Sequence, residues 1–186
     1  MVGTGLEASR FVVARIQCVA YFGDSQQGLY FFRLGAIVPR FVTTGFSQIM
    51  SFRHQIRVRY GECDQQGVVF NANYMAYMDD ATEVWIRSIA PDGDYRNLDW
   101  EWMLVRATMD WQSSARNGDL LDIDVGIVRF GGSSFDFGFI GTVAARPVFR
   151  GRSVCVSVKP VTLEKMATPD RVLQLLGGTV DWDVPA

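Results

Sequence analysis

The sequence predicts an α+β fold in which an antiparallel sheet lies across one long helix. Three observations predict it. A short alternating segment, His54–Tyr60 (HQIRVRY), opens the regular part of the chain. A single amphipathic helical run follows, and then four strand-like runs joined by short links. That order places a helix on one face of a sheet built from consecutive antiparallel neighbours.

In His54–Tyr60, Ile56, Val58 and Tyr60 share one face and Gln55, Arg57 and Arg59 the other. A period of two marks a half-buried strand. Asp64-Gln65-Gln66-Gly67 then reads as a turn, with glycine allowing the tight reversal. Beyond it, Tyr74, Tyr77, Met78, Ala81, Trp85 and Ile89 recur at helical spacing, while Asp79, Glu83 and Arg87 lie opposite. Glu83 and Arg87 form an i,i+4 pair in the favourable order. Asn71 or Asn73 is the expected N-cap, and Pro91-Asp92-Gly93 the stop.

The later strands are MLVRATMDWQ, LLDIDVGIVRF, SSFDFGFIGTVAA and SVCVSVKPV. Their expected separators are Ala115–Gly118, Gly131-Gly132, and the stretch from Arg146-Pro147 to Gly151. Phe135, Phe137 and Phe139 share one face, as core residues do. TPDRVLQLLGG predicts a short helix, opened by Thr168-Pro169 and stopped by glycine. A sheet this small leaves an edge strand and an apolar rim, which dimerisation covers.

With 186 residues, the chain holds one domain with a real core and some extra at its ends. It is 48% hydrophobic and 13% aromatic with a net charge of −2, the balance of a soluble globular protein without a nucleic-acid footprint. Cys18, Cys63 and Cys155 are scattered, which argues against a disulfide framework and for a reducing, cytoplasmic setting. A single histidine, His54, and no clustered cysteines leave zinc without a ligand set. Charges interrupt every apolar run short of the ~18 residues of a membrane span. Residues 1–49 contain no lysine and no sustained period. Two readings of them stand: an upstream stretch ahead of a start at Met50, or an N-terminal arm covering the domain. The remainder divides into a domain over 50–167 and a tail over 168–186.

The stretch VRYGECDQQGVVFNANYMAYMDDATEVWIR resembles the signature of the hotdog-fold acyl-CoA thioesterases of the 4-hydroxybenzoyl-CoA thioesterase-like group. VRATMDWQSSARNGDLLDIDVGIVRFGGSSFDF resembles the later strands and turn of the same family, and the likeness covers roughly residues 52–165. It implies hydrolysis of an acyl-CoA to a free acid and CoA, without a cofactor, by a homodimer or homotetramer with active sites at the subunit interface. Asp64 matches the family's catalytic aspartate, acting as nucleophile or as general base for water. Asn71 matches the residue whose backbone amide polarises the thioester carbonyl at the helix N-terminus. Such a terminus has unsatisfied N–H groups and a partial positive charge, which stabilise a developing oxyanion.

The resemblance also assigns Gly67, Val68, Val69, Phe70, Asn73 and Tyr74 to the substrate site, and Arg129, Arg150 and Arg152 to the CoA phosphates. Many relatives carry histidine where this chain has Asn71. The backbone amide survives that change, but a proton relay does not.

Other chemistries fit less well. His54 and Cys63 are an odd number of residues apart, which puts them on opposite faces of a continuous strand; a Cys–His pair or a hotdog dehydratase therefore lacks its histidine. The helix carboxylates Asp79, Asp80 and Glu83 read as a solvated face. A non-catalytic acyl-CoA or acyl-carrier binding module is the reading from a different class.

Overall fold

The computed structural model describes residues 51–186; the two readings of residues 1–49, and of Met50 as a start, lie outside them. The elements are β1 (Ser51–Arg57), α1 (Asn73–Ile89), β2 (Glu101–Trp111), β3 (Leu120–Phe130), β4 (Ser134–Val143), β5 (Arg146–Val158) and α2 (Asp170–Leu176). The five strands form one antiparallel sheet in the order β1-β3-β4-β5-β2. α1 lies across one face, giving the α+β hotdog architecture. The short α2 is a second helix beside it.

The inner face is apolar at every second residue. Leu121, Ile123, Val125 and Ile127 of β3 are fully buried, as are Phe135, Phe137 and Phe139 of β4. Trp85 of α1 meets Phe137 edge-to-face at 6.0 Å, and Tyr74 meets Phe149 of β5 at 5.4 Å. Such pairs add directional energy to burial. Gly141 is required by this packing, since a Cβ there would lie 2.1 Å from Phe149 Cε1. α1 sits closest to β1 and β3, so its β5–β2 side is left open as a groove.

The outer face is crossed by the chain after α2. Val180 N–H donates to Ile127 O at 2.7 Å, and Val180 and Trp182 lie over Gly126 and Gly138. Arg150 Nη1 donates to Asp183 Oδ2 at 2.6 Å. Under this strap Asp136, 0% exposed, accepts from Arg129 Nε at 2.8 Å and Arg152 Nε at 2.9 Å. Outward-facing Asp122 and Asp124 pair across strands with Gln55 and Arg53.

Three local expectations are corrected. β1 ends at Arg57 and a single 3-10 turn occupies Tyr60–Glu62, so Tyr60 is exposed and does not share the buried side of Val58. The α1 N-cap is Ala72, with no side-chain cap; Asn73 donates instead to Glu62 O at 2.7 Å. Finally, the expected separator at Arg146–Gly151 is strand. The β4–β5 link is only Ala144-Ala145. Pro147 is tolerated in β5 because it lies beyond the last β2 partner, Trp111↔Phe149, and at a register shift, where no ladder donor is needed.

Candidate active site

The site grows out of the loop between β1 and α1. Gly67 adopts φ +74°, a left-handed value that glycine takes without strain, and its N–H donates to Asp64 O at 2.9 Å. Asp64 N–H donates to Val68 O at 2.8 Å. Asp64 Oδ1 accepts from Gln66 N–H at 2.9 Å and from Val68 N–H at 3.4 Å. The carboxylate is therefore anchored through Oδ1 by its own turn. With its NH2 turned inward, the Gln66 side chain reaches Oδ2 at 3.0 Å.

Glu62 joins this loop to the helix. Its backbone oxygen accepts from Phe70 N–H at 2.9 Å and from the Asn73 side chain at 2.7 Å. Its Oε2 accepts from Arg59 N–H at 2.7 Å and from Tyr77 Oη–H at 2.8 Å. Burial, and then the Glu62 carboxylate, hold the Tyr77 hydroxyl well above the usual phenol range, so it remains a donor.

α1 opens with a 3-10-like turn, in which Phe70, Asn71 and Ala72 carbonyls accept from Asn73, Tyr74 and Met75. The Asn71 N–H itself donates to no backbone acceptor among the described residues. It lies at the positive end of a 17-residue helix, where free donors are expected.

Asp64 and Asn71 line one cleft of about 460 Å³ with Val68, Val69, Phe70 and Tyr74. Of the nearby residues assigned to the substrate, Gly67 shapes the turn and Asn73 holds Glu62. The opposite wall is Trp111, Gln112, Ser113 and Ser114, none singled out by the sequence. No local motif marks them; only the register that brings the end of β2 beside the start of α1 does so. Arg129, Arg150 and Arg152 belong to the outer face of the sheet, where they pair with Asp136 and Asp183.

A second, separate hollow, of about 320 Å³, lies along the open side of α1. Met75, Met78, Trp102, Leu104 and Phe137 give it an apolar lining, and Asp79 faces it. Burial, followed by the like charges of Glu83 and Asp80, pushes the Asp79 carboxyl up. Asp79 nonetheless stays exposed to solvent at the edge of the hollow. Asp80 is taken up by His54, whose Nε2 lies 2.8 Å from its Oδ2. Cys155, also lining the hollow, has its thiol pushed up to about 12 by burial, which leaves it inert as a nucleophile.

Fold and site together define a class. A match to the thioesterase-like superfamily spans residues 58–176, and the chain belongs to that superfamily, a class of thioester hydrolases. Solved structures share its fold. A thioesterase-superfamily protein from Jannaschia sp. CCS1 is 23% identical, with 68% of this chain and 90% of that one covered at a TM-score of 0.64. A 1,4-dihydroxy-2-naphthoyl-CoA thioesterase from Synechocystis is 21% identical, covering 68% and 96%, TM-score 0.60. A mutant 4-hydroxybenzoyl-CoA thioesterase complexed with 4-hydroxybenzoyl-CoA is 19% identical, covering 68% and 98%, TM-score 0.62.

Proposed function

We propose that the chain hydrolyses acyl-CoA thioesters in the Asp64–Asn71 cleft. One observation carries this reading: a turn-anchored carboxylate and an unpaired N–H at a helix N-terminus line the same cavity. With the thioester carbonyl on the Asn71 N–H, charge developing on its oxygen meets a fixed donor and the positive helix end. Asp64 then acts in one of two ways. As nucleophile it adds to the carbonyl carbon, CoA leaves as thiolate, and water cleaves the resulting anhydride. As general base it takes a proton from water that adds directly, with the same products, a free acid and CoA. The neutral Asn71 side chain has no proton to relay near pH 7, so Asp64 carries the acid–base work.

The groove along α1 supports an acyl site. Its hollow is lined by Met75, Met78, Trp102, Leu104 and Phe137. A homodimer is part of the same reading. β2 is a sheet edge, and Met103, Leu104 and Val105 on it are 45%, 55% and 62% exposed. Pairing two β2 edges antiparallel would cover these side chains. It would also bring the Trp111 end of one protomer towards the Trp102 end of its partner, joining one cleft to the other's apolar hollow. The free thiols of Cys63 and Cys155 support a reducing compartment, the cytoplasm.

The test is thiol release from acetyl-, hexanoyl-, palmitoyl- and benzoyl-CoA by wild type and Asp64→Asn. Turnover of at least one ester, lost by a factor of about 10³ or more in the variant, is the expected result. Turnover that survives moves the chemistry to Asp79. Binding of acyl-CoA without any turnover assigns the chain to the non-catalytic module.

A further inference from the structure

The three arginines matched to the CoA phosphates are engaged by carboxylates on the outer sheet face. Another arginine braces the wall of the cleft from behind two of its serines. Arg146 begins β5, where its Nη1 donates to Ser113 Oγ and its Nη2 to Ser114 O at 3.1 Å. Both serines line the Asp64 cleft. A guanidinium presents five N–H donors in a planar fork, so two of them fix Arg146 to the cleft wall and three are left. Among the described residues it forms no ion pair with a carboxylate. Its charge is felt inside the cleft: burial raises the pKa of Tyr74, and Arg146 opposes that rise.

The turn that delivers this arginine is strained. Ala144 and Ala145 form the two-residue link between β4 and β5 with φ of 47° and 66°. Positive φ at both positions marks a type I′ hairpin, which is normally built from asparagine and glycine. Alanine resists the left-handed region because Cβ crowds the following carbonyl. So short a link leaves no slack between the sheet and the cleft rim, and Arg146 is held where it meets Ser113. Strained backbone of this kind recurs at ligand clamps.

Resting on the thioesterase reading, we propose that Arg146 binds the phosphates of coenzyme A at the rim of the Asp64 cleft. A planar fork with unused donors is suited to a phosphate, which accepts two parallel charge-assisted hydrogen bonds.

Titration calorimetry of the full chain with coenzyme A and with pantetheine, which lacks the nucleotide and its phosphates, tests this. Arg146→Gln is expected to weaken coenzyme A binding about tenfold and to leave pantetheine unchanged, with Arg146→Lys in between. In turnover, the same change should raise KM for the acyl-CoA and not for the matching acyl-pantetheine, with kcat retained. Equal losses for both ligands would mean that Arg146 only braces the wall, and overturn the proposal. An unaltered affinity for coenzyme A, or wild type that does not bind it, overturns it as well. If wild type binds coenzyme A through Arg146 yet cleaves no thioester, the hydrolase reading fails and this one stands.

Discussion

The Tyr77 hydroxyl, on the second turn of α1, donates to Glu62 Oε2 at 2.8 Å. This ties the helix carrying the Asn71 amide to the loop carrying Asp64. Replacing Tyr77 with Phe removes the donor and leaves the partly buried carboxylate with Arg59 only, through its N–H at 2.7 Å and its guanidinium at 3.9 Å. The cost is about 1–2 kcal/mol, read as a lower urea midpoint. Because the bond also sets the spacing of Asp64 and Asn71, kcat should fall severalfold with KM little changed.

Asp136 gives a pH prediction. Burial works to raise its pKa, but hydrogen bonds from Arg129 and Arg152 outweigh this, and the net shift is below 3.8. A carboxyl lowered in the folded state contributes stability that is present above its unfolded value and lost as pH falls through the folded one. Wild type should therefore lose stability below about pH 4, and Asp136→Asn should lose less over that window. At pH 7 the variant should be less stable by about 3 kcal/mol, the lower end for breaking a buried pair, because both guanidinium groups reach solvent.

Relieving the β4–β5 turn is expected to stabilise the chain. Ala145→Gly removes a left-handed alanine costing about 1–2 kcal/mol, partly offset by the greater freedom of glycine when unfolded. A net gain of about 0.5–1 kcal/mol should appear as a raised Tm.

The edge of β2 makes the assembly testable. Val105→Arg places a charge beside Met103 and Leu104 and should yield a monomer by sedimentation velocity, where wild type should sediment as a dimer. Since each cleft would then lack its partner's hollow, turnover should fall with dissociation. A monomeric wild type removes the dimer from the proposal.

Much of this was legible beforehand, for reasons that differ by element. The α1 periodicity from Tyr74 to Ile89 and the alternation of Leu121, Ile123 and Val125 are local consequences of one-sided burial, and both hold. The turn at Asp64 was legible because Asp and Gly each have a turn role. Its wiring was not. Asn73 is drawn off the cap by Glu62 O, a partner that only the folded loop supplies. Arg146 falls within an expected link because Pro147 and Gly151 resemble loop punctuation. Pro147 is tolerated because β2 has stopped pairing there, and Gly151 because Met78 packs against it, neither of which a local pattern encodes. The contact between Ser113 and Arg146, 33 residues apart, likewise depends on sheet order.

The strap on the outer face supplies the molecule with its own optical probe. Four of its five tryptophans, Trp85, Trp100, Trp102 and Trp111, lie on the helix side of the sheet. Trp182 alone rests on the opposite side, against the bare backbone of Gly138. A chain in which the other four are replaced by Phe would emit only from the strap. Its fluorescence would shift to the red as that segment lifts into water, separating local detachment from loss of the core.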